Sequence, residues 1–284
     1  MTSRIAGPLA LWWRGTSPLV KVVYLALLAN GVPAFILLMS APAHTDDVFV
    51  WTVQPPASAR LLGVMYGNAL LLVALGVYQP CWGRARVIFV LVSVFSVAAT
   101  IVTFVNIDPF LEHPWFHLTY WLTMYAVLFV AAPSAVWSKE RAHGGRLPVE
   151  APLTSSARAA AALMGALLGG LGVVALATPA TLADIWPWQL SPLVARIMGV
   201  WLTALAVAFA WALWDGDRVR TRPIFVQGIP TGALLALLPL VHGDELKANA
   251  AAQLVAYLAL AGLFIGVGTL DAGRRPGPRA RGRA

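Results

Sequence analysis

Charge is what this chain has least of. Only 11% of its 284 residues are Asp, Glu, Lys or Arg, where a soluble domain carries about a quarter. So few charges cannot wet the surface of a chain this size, so lipid must cover part of it. Cysteine is nearly missing as well. Cys81 stands alone, which excludes an intramolecular disulfide and a cysteine metal site. Histidine and acids are absent from every long apolar run. That argues against an intramembrane aspartyl or serine–histidine protease and against a buried bis-histidine haem. It also removes the intramembrane acid or histidine that proton-coupled carriers commonly use. The chain has no Walker loop, no zinc-type His-Glu-x-x-His and no dinucleotide fingerprint, and its sequence implies no cofactor.

What is there is apolar length. Eight runs stand out: Val22–Met39, Leu61–Tyr78, Val87–Val105, Leu118–Trp137, Ala159–Ala177, Ile197–Trp214, Ile224–Val241 and Ala250–Leu270. Each approaches the roughly 20 residues that a helix needs to cross a bilayer. Ala41-Pro42-Ala43 resembles a cleavage site after the first run. That run is longer than a signal core and has a counterpart later in the chain, so we read it as a retained helix. The expected fold is all-α, with eight transmembrane helices.

The net charge of +8 belongs to loops and tails. No nucleic-acid-binding pattern accompanies it. With the N-terminus placed in the cytoplasm, 17 lysines and arginines fall on cytoplasmic segments. Only Arg60, Arg196 and Lys247 fall outside. This positive-inside bias places both termini in the cytoplasm of a multi-pass cell-membrane protein, in a bacterium the inner membrane.

The sequence also repeats itself at an offset of 136 residues. Pro56, Ala59, Arg60, Gly63 and Val64 meet Pro192, Ala195, Arg196, Gly199 and Val200. Arg84, Arg86 and Ile88-Phe89-Val90 meet Arg220, Arg222 and Ile224-Phe225-Val226, and Asp108 meets Asp244. One ungapped offset across helices and loops is the mark of a tandem duplication. Four crossings return the chain to its starting side, so the units should be parallel and related by an axis along the membrane normal. The expected organisation is a first four-helix unit over 1–148, a second over 149–270, and a basic disordered tail over 271–284.

Candidate site residues come from the exceptions to the apolar pattern. Arg60 and Arg196 open helices two and six behind a tryptophan-rich boundary. They read either as snorkelling anchors or as an anion site that holds lipid phosphate or a nearby acid such as Asp108 or Asp244. The neutral amides Asn30, Asn68 and Gln227 lie within runs. Asn30-Gly31-Val32-Pro33 and Gln227-Gly228-Ile229-Pro230 look like helix interruptions of the kind that forms substrate sites or plain kinks. His113 and His117, four apart, are weak metal candidates and otherwise solvated interface residues. Gly165-xxx-Gly169 and Gly262-xxx-Gly266 fit a close-packing motif.

The duplicated Trp/Pro segment followed by Ala-Arg-x-x-Gly, over Phe49–Val90 and Asp184–Val226, resembles a family of bacterial multi-pass membrane proteins from high-GC genomes. The resemblance carries no assigned activity and transfers no site residue. The reading is therefore a polytopic membrane protein, non-enzymatic, that binds membrane lipid (anionic lipid included), a membrane protein partner or a second copy. The alternative is a facilitator for a small neutral or anionic solute. The topology is testable by cysteine-accessibility labelling at Ser138 and Asp108. The two should label from opposite sides of the membrane; labelling from one side contradicts the alternation.

Overall fold

Local chemistry sets where the helices begin. Ser191 accepts a hydrogen bond from the Val194 amide, with Pro192 at the first helical position. Thr154 accepts from Ala157 in the same way. These caps satisfy N–H groups that have no partner inside a helix, and proline costs nothing there. Gly216 ends a helix in the left-handed conformation, φ 70°, where a side chain would be strained.

The computed structural model describes residues 16–77, 82–143, 145 and 147–272. Among these residues eight helices are long and apolar enough to cross a membrane. They are α1 (Pro18–Ser40), α2 (Pro56–Val77), α3 (Trp82–Val105), α4 (Trp115–His143), α5 (Ser155–Ala177), α6 (Pro192–Asp215), α7 (Arg218–Val226 and Gly228–Val241) and α8 (Ala251–Ala272). Short helices at Thr45–Val48, Asp108–Leu111 and Pro179–Ile185 lie between them. The described residues contain no strand, only isolated bridges such as Trp188 with Leu246. Cys81 and the tail beyond 272 fall outside the described residues.

Burial grades the helices. The apolar stretch of α6 is 78% buried, that of α3 61%, and those of α5 and α8 only 28%. Helix α6 packs on α5 and α3, and α7 packs on α8 and α2. Helix α1 packs on α2 and α4, and α3 packs on α4. Leu240 and Trp115 are 79% and 77% exposed, which suits a surface that faces acyl chains rather than water.

Helix α7 is interrupted at Gln227, as its Gly/Pro sequence suggested. Helix α1 is not. It runs unbroken through Asn30 and Pro33, and the Ala29 carbonyl that Pro33 leaves without its helical donor accepts from the Tyr120 hydroxyl of α4.

The glycine motifs also need correction. A Cβ on Gly262 or Gly266 would meet nothing within 4 Å, and one on Gly165 or Gly169 would make ordinary contacts at 3.6–3.7 Å. The tight approaches lie elsewhere. A Cβ on Gly232 would stand 2.4 Å from the Ala261 carbonyl oxygen, and one on Gly228 would stand 2.3 Å from that of Phe264. Both contacts are with backbone, so α7 and α8 would have to part to admit a methyl. Gly232→Ala should therefore destabilise the bundle by about 1–3 kcal/mol, while Gly262→Ala should be close to neutral. Unfolding in detergent, followed by circular dichroism, measures both; equal effects contradict the packing.

Candidate functional site

The residues Arg60 and Arg196 share one face of the bundle, each one turn into its helix. Their partners are neither Asp108 nor Asp244. Arg60 Nη1 donates to His242 Nε2 at 2.9 Å, and Arg196 Nη1 donates to the side-chain oxygen of Asn106. Asn106 and His242 close α3 and α7 at residues 136 apart, the same spacing that separates the arginines. Each arginine therefore ties the start of one helix to the end of another, α2 to α7 and α6 to α3.

The first of these contacts extends further. An arginine has no acceptor, so His242 Nε2 must accept and the ring must carry its proton on Nδ1. That N–H donates to Glu245 Oε1 at 2.7 Å. Glu245 Oε2 in turn accepts from the Ala57 amide at 2.8 Å, in the first turn of α2. Carboxylate at a helix N-terminus is favourable because the exposed N–H groups carry partial positive charge. His242 is buried, and Arg60 and Glu245 on either side of it are half-buried.

The opposite face carries a cluster the sequence reading did not single out. Arg86 is 1% exposed and makes no hydrogen bond with its three guanidinium nitrogens. Charge and ring faces hold it instead. Its guanidinium carbon lies 5.1 Å from the ring centres of Trp211 and Trp214. Its Nε lies 3.8 Å from carboxylates of Asp215 and Glu140. Arg220 donates to the same Asp215 from Nε at 2.9 Å and also from Nη2. Asp217 caps α7 and also accepts from the Glu150 and Ala151 amides at 2.8 and 2.9 Å, docking the segment that joins the halves. Burial alone would raise the Asp217 carboxyl, but those amide bonds and the Arg220 charge outweigh it and hold it below its ordinary value. In sequence, Arg86 was legible only as one of many loop charges; the signal missed was Asp215, an acid closing an apolar helix beside two tryptophans.

The intramembrane amides go separate ways. Gln227 is spent locally, donating to the Ile224 carbonyl at 3.1 Å and accepting from Thr231 at 3.0 Å. Asn30 lines a small apolar cavity and lies against the Tyr66 and Tyr125 hydroxyls. Asn68 lines another small cavity, and its Oδ1 has no hydrogen-bond partner. Trp201 lines both cavities. Each leaves room for little more than a water molecule among its lining atoms. His113 precedes α4 and bonds to the Pro109 carbonyl and the Thr52 hydroxyl. Its ring centre is 6.4 Å from that of His117. Among the described residues no three His, Cys, Asp or Glu side chains converge on one point.

A groove of about 340 Å³ lies between α5 and α8, near the Arg60 face. Leu167 and Leu171 form one wall, Ala256, Leu260 and Leu263 the other, and Leu182, Ile185 and Trp186 its end. Two buried polar atoms on its lining, Trp186 Nε1 and Gln253 Oε1, have no hydrogen-bond partner. Such groups cost free energy when left unpaired in an apolar setting. No family model, curated protein or solved structure matches this chain.

The arginine clamps are testable by a double-mutant cycle of Arg60→Gln with His242→Leu. A hydrogen bond from a charged donor contributes about 1.5–3 kcal/mol, so the coupling energy from detergent unfolding should fall in that range. His242→Asn, which copies the Asn106 solution, should retain most of the stability. A coupling near zero would mean that the two side chains act independently.

Proposed function

We propose that this protein is a non-enzymatic, multi-pass membrane protein that binds lipid, built from two parallel four-helix units. The duplication is supported by the helix boundaries. Helices α2 and α6, α3 and α7, and α4 and α8 begin at Pro56 and Pro192, Trp82 and Arg218, and Trp115 and Ala251, each pair 136 residues apart. Packing repeats in the same way: α1–α2 matches α5–α6, α3–α4 matches α7–α8, and α3–α6 matches α7–α2. The crossed pairs α3–α6 and α7–α2 join the units, and the arginine clamps secure both. The positive-inside rule orients the Arg60 face outward and both termini inward, in the cell membrane.

Lipid binding rests on one observation, the apolar α5–α8 groove with its open flank. The solute-facilitator alternative needs a wetted path that joins the amides. Against it stand the local bonding of Gln227 and the placement of Asn30 and Asn68 in separate cramped cavities beside Trp201. A flat apolar groove suits a chain, where each buried methylene contributes about 0.8 kcal/mol.

Native mass spectrometry in mild detergent tests the reading. The purified protein should retain about one lipid per chain, and Ala259→Phe, which narrows the groove, should lose it. Wild-type protein that retains no lipid, and that carries small anions across proteoliposomes, would favour the facilitator instead.

A further inference from the structure

The two halves treat one seam differently, and the difference points to a ligand. In the first half, α1 and α4 are bridged by Tyr120, whose hydroxyl donates to the Ala29 carbonyl at 2.6 Å. At the offset of 136, Tyr120 becomes Ala256 and Ala29 becomes Gly165. The first substitution removes a whole phenol side chain, and Ala256 lines the α5–α8 groove. The groove thus occupies the seam that a tyrosine closes in the other half. His117 likewise becomes Gln253, one of the unpaired polar groups on the groove's lining.

A charge stands at the same end. Lys247 Nζ donates to the carbonyls of Ala183 at 2.6 Å and Asp184 at 3.3 Å. These carbonyls belong to the short helix whose Leu182 and Ile185 form the end of the groove. An ammonium has three donors, and two of Lys247's are used on neutral groups. No carboxylate pairs with it among the described ion pairs. The other basic residues of this face, Arg60 and Arg196, are already engaged with His242 and Asn106.

We propose that the α5–α8 seam binds one anionic phospholipid. An acyl chain lies along Leu167, Leu171, Leu260 and Leu263, and the phosphate meets Lys247 at the end of the groove. The headgroup must carry net negative charge, because a zwitterion neutralises its own phosphate. This rests on the lipid-binding reading above and adds the lipid's class and the residue that selects it.

The test is a native mass spectrometry titration of the full chain with phosphatidylglycerol and phosphatidylcholine of identical acyl chains. Wild type should bind one phosphatidylglycerol about fivefold more tightly, the ratio expected from one lysine near a charged headgroup. Lys247→Gln should bind the two lipids alike. Ala256→Tyr, which restores the first half's residue, should bind neither, and Ala259→Phe serves if that variant does not fold. Equal binding by wild type overturns the headgroup assignment and leaves the chain site standing. A preference that survives Lys247→Gln overturns the assignment of Lys247. Undiminished binding by folded Ala256→Tyr removes the seam, and the lipid-binding reading with it. A dimer that carries no lipid and dissociates on Ala256→Tyr would assign the seam to a second copy.

Discussion

The bundle depends on a guanidinium placed where the helices of one half meet those of the other. Arg196 bonds Asn106 across the α6–α3 crossing, and Arg60 bonds His242 across the α2–α7 crossing. At the other end of the α3–α6 pair, Arg86 of α3 lies between Trp211, Trp214 and Asp215 of α6. That pair is therefore held at both ends by arginine. Between helices in a bilayer, apolar burial gives little net driving force, because lipid tails are as apolar as leucine. Directional and charged contacts at the helix ends, with close glycine approaches along the length, then carry more of the specificity. The Gly172 and Gly199 approach in α5–α6 and the Gly228 and Gly232 approach in α7–α8 fill that second role.

Anchoring the centre leaves the periphery free to differ. Helices α3 and α6 are the most enclosed, and α5 and α8 the least. A seam between two peripheral helices can open without disturbing the clamped crossings. On the proposed duplication, the difference between Tyr120 and Ala256 then opens a groove and leaves the clamped crossings in place. The same logic explains why the neutral amides do not form one polar path. Gln227 is satisfied through the break in α7 and Asn30 lies against two tyrosines, while the Asn68 oxygen stands unpaired in a separate cavity.

Much of this was legible in the sequence. Eight charge-free runs gave the eight helices, and Pro56 and Pro192 marked helix starts. The Gly/Pro run at Gln227 marked a true interruption, whereas the similar run at Asn30 did not. Local composition is alike in the two, and the difference lies in the neighbours that support the backbone. The arginines were legible as candidates but their partners were not, because Asn106 and His242 differ chemically and lie 90 and 182 residues away. The groove was illegible for a related reason. It opens beside the small residue Ala256, and a missing side chain leaves no motif to read. Small-residue spacing misled for the same cause: Gly262 and Gly266 fit the pattern but face open space.

The central claim is an asymmetry between two otherwise similar halves, with one seam closed by protein and the other by lipid. A high-resolution structure in nanodiscs that contain anionic phospholipid tests it most directly. The account predicts an ordered acyl chain between α5 and α8, with its phosphate at Lys247, and no chain between α1 and α4. Lipid density in both seams or in neither, or an α5–α8 seam closed by its own side chains, would contradict it.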